Sequence, residues 1–220
     1  MRLQAVVFDF DGLIIDSEWS IFEMAAAAFA EHGHDLTVEA WATIVGTNDS
    51  DHGWWDTVCA AAGITGFSQA EFEAAYARQP RTYDDLPPLP GVLQLLDELE
   101  IVGVPAGIAS SSGTAWLHRH TRRLGIEDRF AAIVGSDQVG GVGKPAPDVY
   151  LKACADLGVE PAAAVALEDS AHGASAAKAA GMTVVAVPGP ITRSNDFSHV
   201  DLVVRSVAEV NVSILRSLLG

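Results

Sequence analysis

Short apolar segments alternate in this chain with longer segments of helical periodicity, and this alternation constrains the fold more than any other feature. The apolar segments are rich in Val, Ile and Ala and lie at residues 5–10, 104–109, 131–134, 163–167, 183–187 and 201–204. Helical patterns lie between them at residues 90–102, 113–124, 146–157 and 170–180. Strands buried on both faces of a parallel sheet have this continuous apolar character. The alternation therefore predicts βαβ units and an α/β fold with a doubly wound parallel sheet.

Residues 16–86 depart from this alternation because they contain helical patterns and no convincing buried strand. The patterns lie at residues 17–32, 38–45, 52–62 and 68–78, and a proline-rich stretch at 84–91 follows. We therefore predict an α/β core domain, residues 1–15 and 87–220, with an inserted all-helical cap domain, residues 16–86. Ligands of such sheets bind beyond the carboxyl ends of the strands. An insertion directly after the first strand would cover that site as a lid.

The formal net charge of −16 restricts the possible partners of the chain. Such an acidic protein lacks the basic surface that nucleic acid and anionic membranes attract, although one cleft can still carry a local positive field. No stretch reaches the roughly 18 apolar residues that a membrane span needs. We expect a cytoplasmic protein, a monomer or weak homodimer, that binds a small molecule. Cys59 and Cys154 are isolated in the sequence and are expected to be buried thiols.

Two carboxylates follow the first predicted strand, in the segment Asp9-Phe10-Asp11-Gly12. Residues spaced i, i+2 in extended backbone leave the chain on the same side. Such a pair can divide catalytic work, with one carboxylate as a nucleophile and the other as an acid and base. Gly12 would let the backbone turn and approach a ligand closely. The alternative interpretation is a polar strand end that leads into a turn.

Serines and a lysine occur at corresponding places later in the chain. Ser110 and Ser111 follow the second predicted strand and precede a helix. Hydroxyl and backbone N–H groups at a helix N-terminus can cradle a phosphate, although serines there are also common helix caps.

Lys144 precedes a helix start and can place a positive charge on phosphoryl oxygens. The segment is not a nucleotide P-loop, because Gln138 and Pro145 occupy positions where that motif requires Gly and Ser or Thr.

Two more carboxylates, Glu168 and Asp169, follow the predicted strand at 163–167. If they converge on Asp9 and Asp11, four acids meet in one cleft, where mutual repulsion would raise their pKa values. A hard divalent cation with oxygen ligands resolves this accumulation, and Mg²⁺ suits a site of a few carboxylates and a substrate phosphate. The sequence therefore predicts a magnesium-dependent site for a phosphorylated small molecule.

These four motifs, in this order on an α/β scaffold with a helical insertion, resemble the haloacid dehalogenase superfamily. The insertion point and the segment Leu167-Glu168-Asp169-Ser170 are similar to the branch that contains β-phosphoglucomutase and small sugar phosphatases. The resemblance covers essentially the whole chain. It implies a Rossmann-like core and a cap that opens for exchange and closes to exclude water.

The resemblance also implies roles for the matching residues. Asp9 would attack phosphorus and form an aspartyl-phosphate, while Asp11 would protonate the leaving oxygen and then activate water. Ser110 and Lys144 would hold the phosphoryl oxygens. We predict these four residues to be catalytic.

A metal site and substrate contacts follow from the same resemblance. Mg²⁺ would be bound by the side chain of Asp9, the backbone carbonyl of Asp11 and Asp169, with Glu168 in support. Substrate contacts are expected from Gly12, Ser111, Thr47 and Asn48.

The choice between a phosphatase and a mutase depends on the cap. In β-phosphoglucomutase a cap-loop arginine grips a second phosphate, and Asp49 stands at the corresponding place here. The mutase's histidine on the first cap helix is replaced by Ile21. Both departures favour a phosphatase that acts on a small phosphorylated metabolite such as a sugar phosphate.

A dehalogenase is disfavoured because those relatives lack the carboxylate of Asp11. A β-phosphoglucomutase-like mutase stays open, as does a non-catalytic binding or regulatory member, although intact motifs argue against the latter.

Other conspicuous residues have structural interpretations. Trp54 and Trp55 are expected in the core of the cap, and Trp116 is expected to pack. Asp16 and Glu18 lie where the chain enters the cap and are assigned hinge or cap contacts only. The basic residues on the helix after Ser112 are expected to form a solvated face near the helix C-terminus. These are His118, Arg119, His120, Arg122 and Arg123.

Overall fold

Six parallel strands form one sheet in the part of the chain that the structure describes. The structure is a computed structural model, and it describes residues 2–45, 53–80 and 82–220. The strands are β1 (Ala5–Phe8), β2 (Ala106–Ala109), β3 (Phe130–Val134), β4 (Ala164–Glu168), β5 (Thr183–Ala186) and β6 (Leu202–Val203). Their order across the sheet is β3-β2-β1-β4-β5-β6. The predicted doubly wound α/β fold is confirmed.

The sheet register brings the ends of the central strands together. Phe8 at the end of β1 is paired with Ile108 on one side and Leu167 on the other. The N–H of Asp9 donates to the carbonyl of Leu167 at 2.9 Å, so the nucleophile candidate is still held by the sheet. The strand order reverses between β1 and β4, and ligands of doubly wound sheets bind in the crevice at that switch point. The motifs after β1, β2 and β4 therefore meet at one edge.

The described part of residues 16–86, the predicted cap, consists of helices joined by turns. It contains α1 (Ser17–Glu31), α2 (Val38–Trp41), α3 (Trp54–Ala62), α4 (Gln69–Tyr76) and a short 3₁₀ helix at Thr82–Asp85. The helix predicted at 38–45 is wrong at its C-terminal end. The N–H groups of Thr43 and Ile44 bond to carbonyls three residues back, and the Thr43 hydroxyl donates to the Ala40 carbonyl at 2.7 Å. The chain therefore continues as turns after Trp41.

An aromatic cluster fills the interior of the cap. The ring of Phe29 stacks on Trp55 at a centroid distance of 5.6 Å and meets Phe67 and Phe72 at 5.2 Å each. Large aromatic side chains contribute most of the buried apolar area in so small a unit. The expectation that Trp55 packs in the cap core is confirmed.

Helices cover both faces of the sheet in two apolar layers. The core helices are α5 (Val92–Val102), α6 (Thr114–Arg123), α7 (Asp148–Leu157), α8 (Ala171–Ala179) and α9 (Val212–Leu218). Apolar residues of α5, α6 and α9 share one layer, and those of α7 and α8 share the other. The sequence did not predict α9, because its seven residues give too few turns for a clear period.

The prediction of a solvated basic face on α6 is confirmed for Arg119, Arg122 and Arg123, which are exposed, and is wrong for His120. His120 is fully buried, and its ring lies 4.1 Å from that of Trp116. Arg119 donates to Asp84 at 2.8 Å, and Arg123 donates to the carbonyl of Leu86 at 2.7 Å. The helix therefore faces the segment by which the chain returns from the cap.

Among residues 2–45, 53–80 and 82–220, no helix is both long enough and apolar enough to cross a bilayer. Cys59 and Cys154 are free thiols. Cys154 is buried as predicted, whereas Cys59 is only half-buried.

Candidate active site

A cavity of about 660 Å³ lies between the cap and the carboxyl ends of the central strands. The structure brings together most of the residues that the sequence predicted for the site. Those that line the cavity are Asp9, Asp11, Ser110, Ser111, Lys144 and Asp169. Glu168 is buried next to them through its contact with Lys144. Thr47 and Asn48, predicted to contact substrate, lie outside the described residues, as does Asp49.

Asp9 and Lys144 form a buried ion pair at the floor of the cavity. Asp9 is 5% exposed and Lys144 is 1% exposed. The ammonium group of Lys144 donates to Oδ1 of Asp9 and, at 2.5 Å, to Oε1 of Glu168. The hydroxyl of Tyr150 donates to the same Oε1 at 2.6 Å. The lysine predicted to hold phosphoryl oxygens is thus fixed between two carboxylates.

Negative charge is in excess at this floor. Burial raises the pKa of Asp9 to about 8, although Lys144 opposes the shift; Glu168 and Asp11 add to it. The pKa of Asp169 is also raised, first by burial and then by Asp9 and Glu168. Burial by itself would lower the pKa of Lys144, but the attraction of Asp9 and Glu168 outweighs it and raises that pKa. One lysine does not neutralise three buried carboxylates, so the site favours another cation.

The carboxylates have the arrangement that a cation needs. Asp9, Glu168 and Asp169 each place one oxygen within 4.8 Å of the others. Both oxygens of Glu168 already accept hydrogen bonds, from Lys144 and Tyr150 at one and from Ser170 at the other. Within the described residues, no hydrogen-bond donor meets the carboxylate of Asp169. Asp9 and Asp169 are therefore the residues that could hold a hard divalent cation directly, since such cations prefer oxygen ligands, with Glu168 behind them.

Gly12 leaves room for the carboxylate of Asp169 in this cluster. It does not line the cavity; its φ of +84° makes a sharp turn, and an added Cβ would overlap the carboxylate of Asp169. The residue was predicted to contact substrate. The structure gives another reason for glycine here, which is the close approach of Asp169.

The carboxylate of Asp11 is not a member of that cluster and accepts three hydrogen bonds. Ser17 donates to Oδ1 at 2.7 Å, and Ser112 donates to Oδ2 at 2.7 Å. The indole N–H of Trp116 donates to Oδ1 at 3.0 Å. Trp116 was predicted to pack only, and Ser17 and Ser112 were not predicted to belong to the site. No local signal in the sequence relates Trp116 to a residue 105 positions earlier.

The serine segment after β2 forms one wall of the cavity. The hydroxyl of Ser110 accepts from the N–H of Ser112 at 3.0 Å, and that of Ser111 accepts from the N–H of Lys144 at 3.2 Å. α6 begins at Thr114, directly after this wall. Backbone and hydroxyl donors at a helix N-terminus suit an anion such as a phosphate.

The cap contributes a mainly aromatic and aliphatic wall. Its apolar and aromatic members are Ile21, Trp41, Ile44, Val45, Trp54, Phe72, Tyr76 and Tyr83. Trp54 thus both packs on Trp55, at 5.7 Å between centroids, and lines the cavity. Glu18, Gln69 and Glu73 also line it, and Lys144 is the one basic residue among the described residues of the lining. Asp16 instead caps α1 by accepting from the N–H of Trp19 at 3.4 Å.

Comparison with known proteins agrees with this geometry. The family model described as haloacid dehalogenase-like hydrolase matches residues 6–187. YhcW of Bacillus subtilis (strain 168), named provisionally as a phosphatase, is 34% identical, with 97% of this chain and 96% of that protein covered. The β-phosphoglucomutase of the same organism is 33% identical, with 97% and 94% covered. Hexitol phosphatase B of Escherichia coli (strain K12) is 32% identical, with 100% and 98% covered.

A solved structure shows the same fold with an anion bound. It is a HAD family hydrolase from Deinococcus radiodurans R1, with phosphate and sodium bound. Its TM-score to this chain is 0.78 at 28% identity, with 99% of this chain and 97% of that chain covered. The motif order, the parallel sheet and the family match lead to one conclusion: the chain belongs to the haloacid dehalogenase-like hydrolase family.

Proposed function

We propose that the chain is a Mg²⁺-dependent phosphatase that hydrolyses a phosphate monoester of a small metabolite, with sugar phosphates as the substrate class. The observation that carries the proposal is the cavity floor, where buried Asp9 lies against Lys144 and near Asp169. A nucleophile, a fixed positive charge and a metal-binding carboxylate meet there, as phosphoryl transfer through a covalent intermediate requires. The relatives named as phosphatases support the reaction class.

In the first step, a carboxylate oxygen of Asp9 bonds to phosphorus while the bond from phosphorus to the substrate oxygen breaks. Asp11 gives its proton to that oxygen, and the product leaves as an alcohol. Ser110 and Lys144 stabilise the negative charge on the phosphoryl oxygens. Bound Mg²⁺, held by Asp9 and Asp169, would neutralise part of the charge on the carboxylates and the phosphate.

In the second step, Asp11 takes a proton from a water molecule, and the water oxygen bonds to phosphorus as the bond to Asp9 breaks. Inorganic phosphate leaves, Asp9 is again a carboxylate and Asp11 again carries a proton. Splitting the reaction into two displacements lowers the barrier of each.

We assign residues 16–86 the role of a lid over this chemistry. Two contacts between cap and core support it: the bond from Ser17 to Asp11, and the bond from Nδ1 of His172 to the carbonyl of Val45 at 3.0 Å. A lid of this kind excludes bulk water until the cap opens for exchange.

We expect the metal to be indispensable. Dialysis against EDTA should lower phosphate release by at least about 10³-fold, because the charges of Asp9, Asp169 and the phosphate would repel one another. Added Mg²⁺ should restore the rate. The measurement uses para-nitrophenyl phosphate and a panel of sugar and hexitol phosphates, with a coupled assay for sugar-phosphate isomerisation. Full activity in EDTA would contradict the metal assignment, and isomerisation faster than phosphate release would favour a mutase.

We expect the chain to prefer monophosphates to bisphosphates by about 10-fold to 100-fold in kcat/KM. Lys144 is the one basic residue in the described lining and is already paired, so a second phosphate would face Glu18 and Glu73 without a cation. Matched hexose mono- and bisphosphates measure the preference. Arg81 lies outside the described residues, and Arg81→Gln serves as the control. A bisphosphate preference that Arg81→Gln removes would contradict the prediction.

A further inference from the structure

The indole of Trp116 makes an unusual contact for a residue on a packed helix. Its N–H donates to Oδ1 of Asp11 at 3.0 Å, the oxygen that also accepts from Ser17 at 2.7 Å. Oδ2 accepts from Ser112 at 2.7 Å. Among the described residues, these are the donors that meet the Asp11 carboxylate.

The donors differ in what they permit. A serine hydroxyl rotates and can donate or accept, whereas an indole N–H can only donate. Trp116 therefore keeps Oδ1 an acceptor whether or not Asp11 carries a proton. Oδ2, in contrast, has Ser112 as its partner among the described residues, and that hydroxyl can turn to accept as well as donate. Ser112 belongs to the serine segment that lines the cavity, together with Ser110 and Ser111. Oδ2 therefore lies on the side where the phosphoryl group is proposed to bind.

Trp116 is itself held from both sides. Its ring meets that of Tyr83 edge to face, with 5.1 Å between centroids and 67° between planes, and it lies 4.1 Å from His120. Tyr83 belongs to the segment by which the chain leaves the cap, and the bond from Arg119 to Asp84 fixes that segment to α6. The position of the indole is thus set by the core helix and the cap segment together.

We propose that Trp116 is a positioning residue: it holds the Asp11 carboxylate in the orientation from which its proton reaches the leaving oxygen, and Tyr83 keeps the indole in place. This inference rests on the proposed phosphatase function and adds to it a residue outside the four motifs. It predicts a defect that depends on the leaving group. An alcohol needs the proton, whereas an acidic phenol leaves without it.

The test is Trp116→Phe, which keeps an aromatic ring and removes the N–H. We expect kcat/KM for a hexitol phosphate to fall by about 10-fold to 100-fold, a part of the 10²–10⁴ that general acid catalysis supplies. For para-nitrophenyl phosphate the fall should be less than about 3-fold, because its leaving group needs no acid. kcat/KM is the right quantity because it reports the steps up to the aspartyl-phosphate and not the later attack of water. Tyr83→Ala should show the same pattern.

Trp19→Phe is the matched control, because the indole N–H of Trp19 bonds at 3.0 Å to the exposed carboxylate of Glu23. Trp19→Phe should leave kcat/KM unchanged for both esters. The indole signals of the five tryptophans in a ¹H–¹⁵N spectrum give a readout apart from activity. The signal lost in Trp116→Phe should move in Asp11→Ala, while the signal of Trp19 stays.

Each result decides between distinct conclusions. Equal losses for both esters, or no loss for either, would overturn the positioning role while leaving the phosphatase proposal intact. An indole signal of Trp116 that is unmoved in Asp11→Ala would overturn it as well. An unaltered chain that hydrolyses neither ester would overturn the proposed function, and the positioning role with it.

Discussion

Replacing Asp9 with asparagine should abolish phosphate release from every ester that the unaltered chain hydrolyses, with kcat lower by at least about 10⁴-fold. The carboxamide has nearly the shape of the carboxylate, but its oxygen is a far weaker nucleophile, so the bond to phosphorus does not form. Lys144 keeps Glu168 as a partner at 2.5 Å, and the fold should persist. Phosphate release under saturating substrate and Mg²⁺ measures the effect.

The control for Asp9→Asn is the same substitution at Asp156, an exposed carboxylate paired with Lys152 at 2.6 Å. Asp156→Asn should leave the activity unchanged. A direct measurement complements the rate: acid-quenched unaltered enzyme should carry a hydroxylamine-sensitive phosphoryl group on the peptide that contains Asp9, and the variant should not. Asp9→Asn with more than about 1% of the activity would rule out Asp9 as the nucleophile.

Asp169→Asn should have opposite effects on activity and on stability. Activity should fall by at least about 10³-fold, because the variant lacks one of the two carboxylates proposed to hold Mg²⁺. The metal-free chain, in contrast, should become more stable at neutral pH. The carboxylate of Asp169 is buried near Asp9 and Glu168, and no donor among the described residues meets it. Such a group commonly costs about 1–3 kcal/mol of folding free energy.

The pH dependence follows from the sign of the shift. The pKa of Asp169 is raised above the usual value, first by burial and then by Asp9 and Glu168, so the folded chain binds this proton more tightly than the unfolded chain. The free energy of unfolding of the metal-free chain should therefore fall as pH rises from the usual aspartate range toward the raised pKa. The asparagine side chain of Asp169→Asn does not ionise, so the free energy of unfolding of this variant should fall less over this pH interval. Urea unfolding in EDTA at several pH values measures both chains.

Mg²⁺ provides the second half of this test. It should raise the melting temperature of the unaltered chain, because a ligand that binds only the folded state stabilises it, and it should have little effect on Asp169→Asn. Asp156→Asn again serves as the control and should respond as the unaltered chain does. Loss of stability in metal-free Asp169→Asn would show that this carboxylate has a favourable partner, in contradiction to the charge argument.

The sequence predicted which residues form the centre of the site, because the topology of the sheet fixes where the ends of its strands lie. Once short apolar runs predict a doubly wound sheet, the residues that follow β1, β2 and β4 must share one edge. Asp9, Ser110 and Asp169 do lie around one cavity. The helices within residues 16–86 were predictable from local pattern, since these segments have the helical period and lack buried-strand character.

Side-chain partners were less predictable. Lys144 was predicted to hold phosphoryl oxygens, and no sequence pattern indicated that it also bridges Asp9 and Glu168. Tyr150, on α7, bonds to Glu168, and nothing in the helical pattern distinguishes it from a packing residue. Composition and period determine which face of a helix is buried, but not which polar atom a side chain on that face will contact.

The sequence by itself determined the fold class, the order of the motifs and the accumulation of acids that calls for a cation, because these follow from local period, strand ends and charge. The tertiary structure alone decided that α6 faces the return from the cap. It thereby buried His120 and placed the indole of Trp116 on Asp11. The physical reason is that such contacts join residues 35 to 105 positions apart, and their energies depend on the packing of whole helices, which no local pattern records.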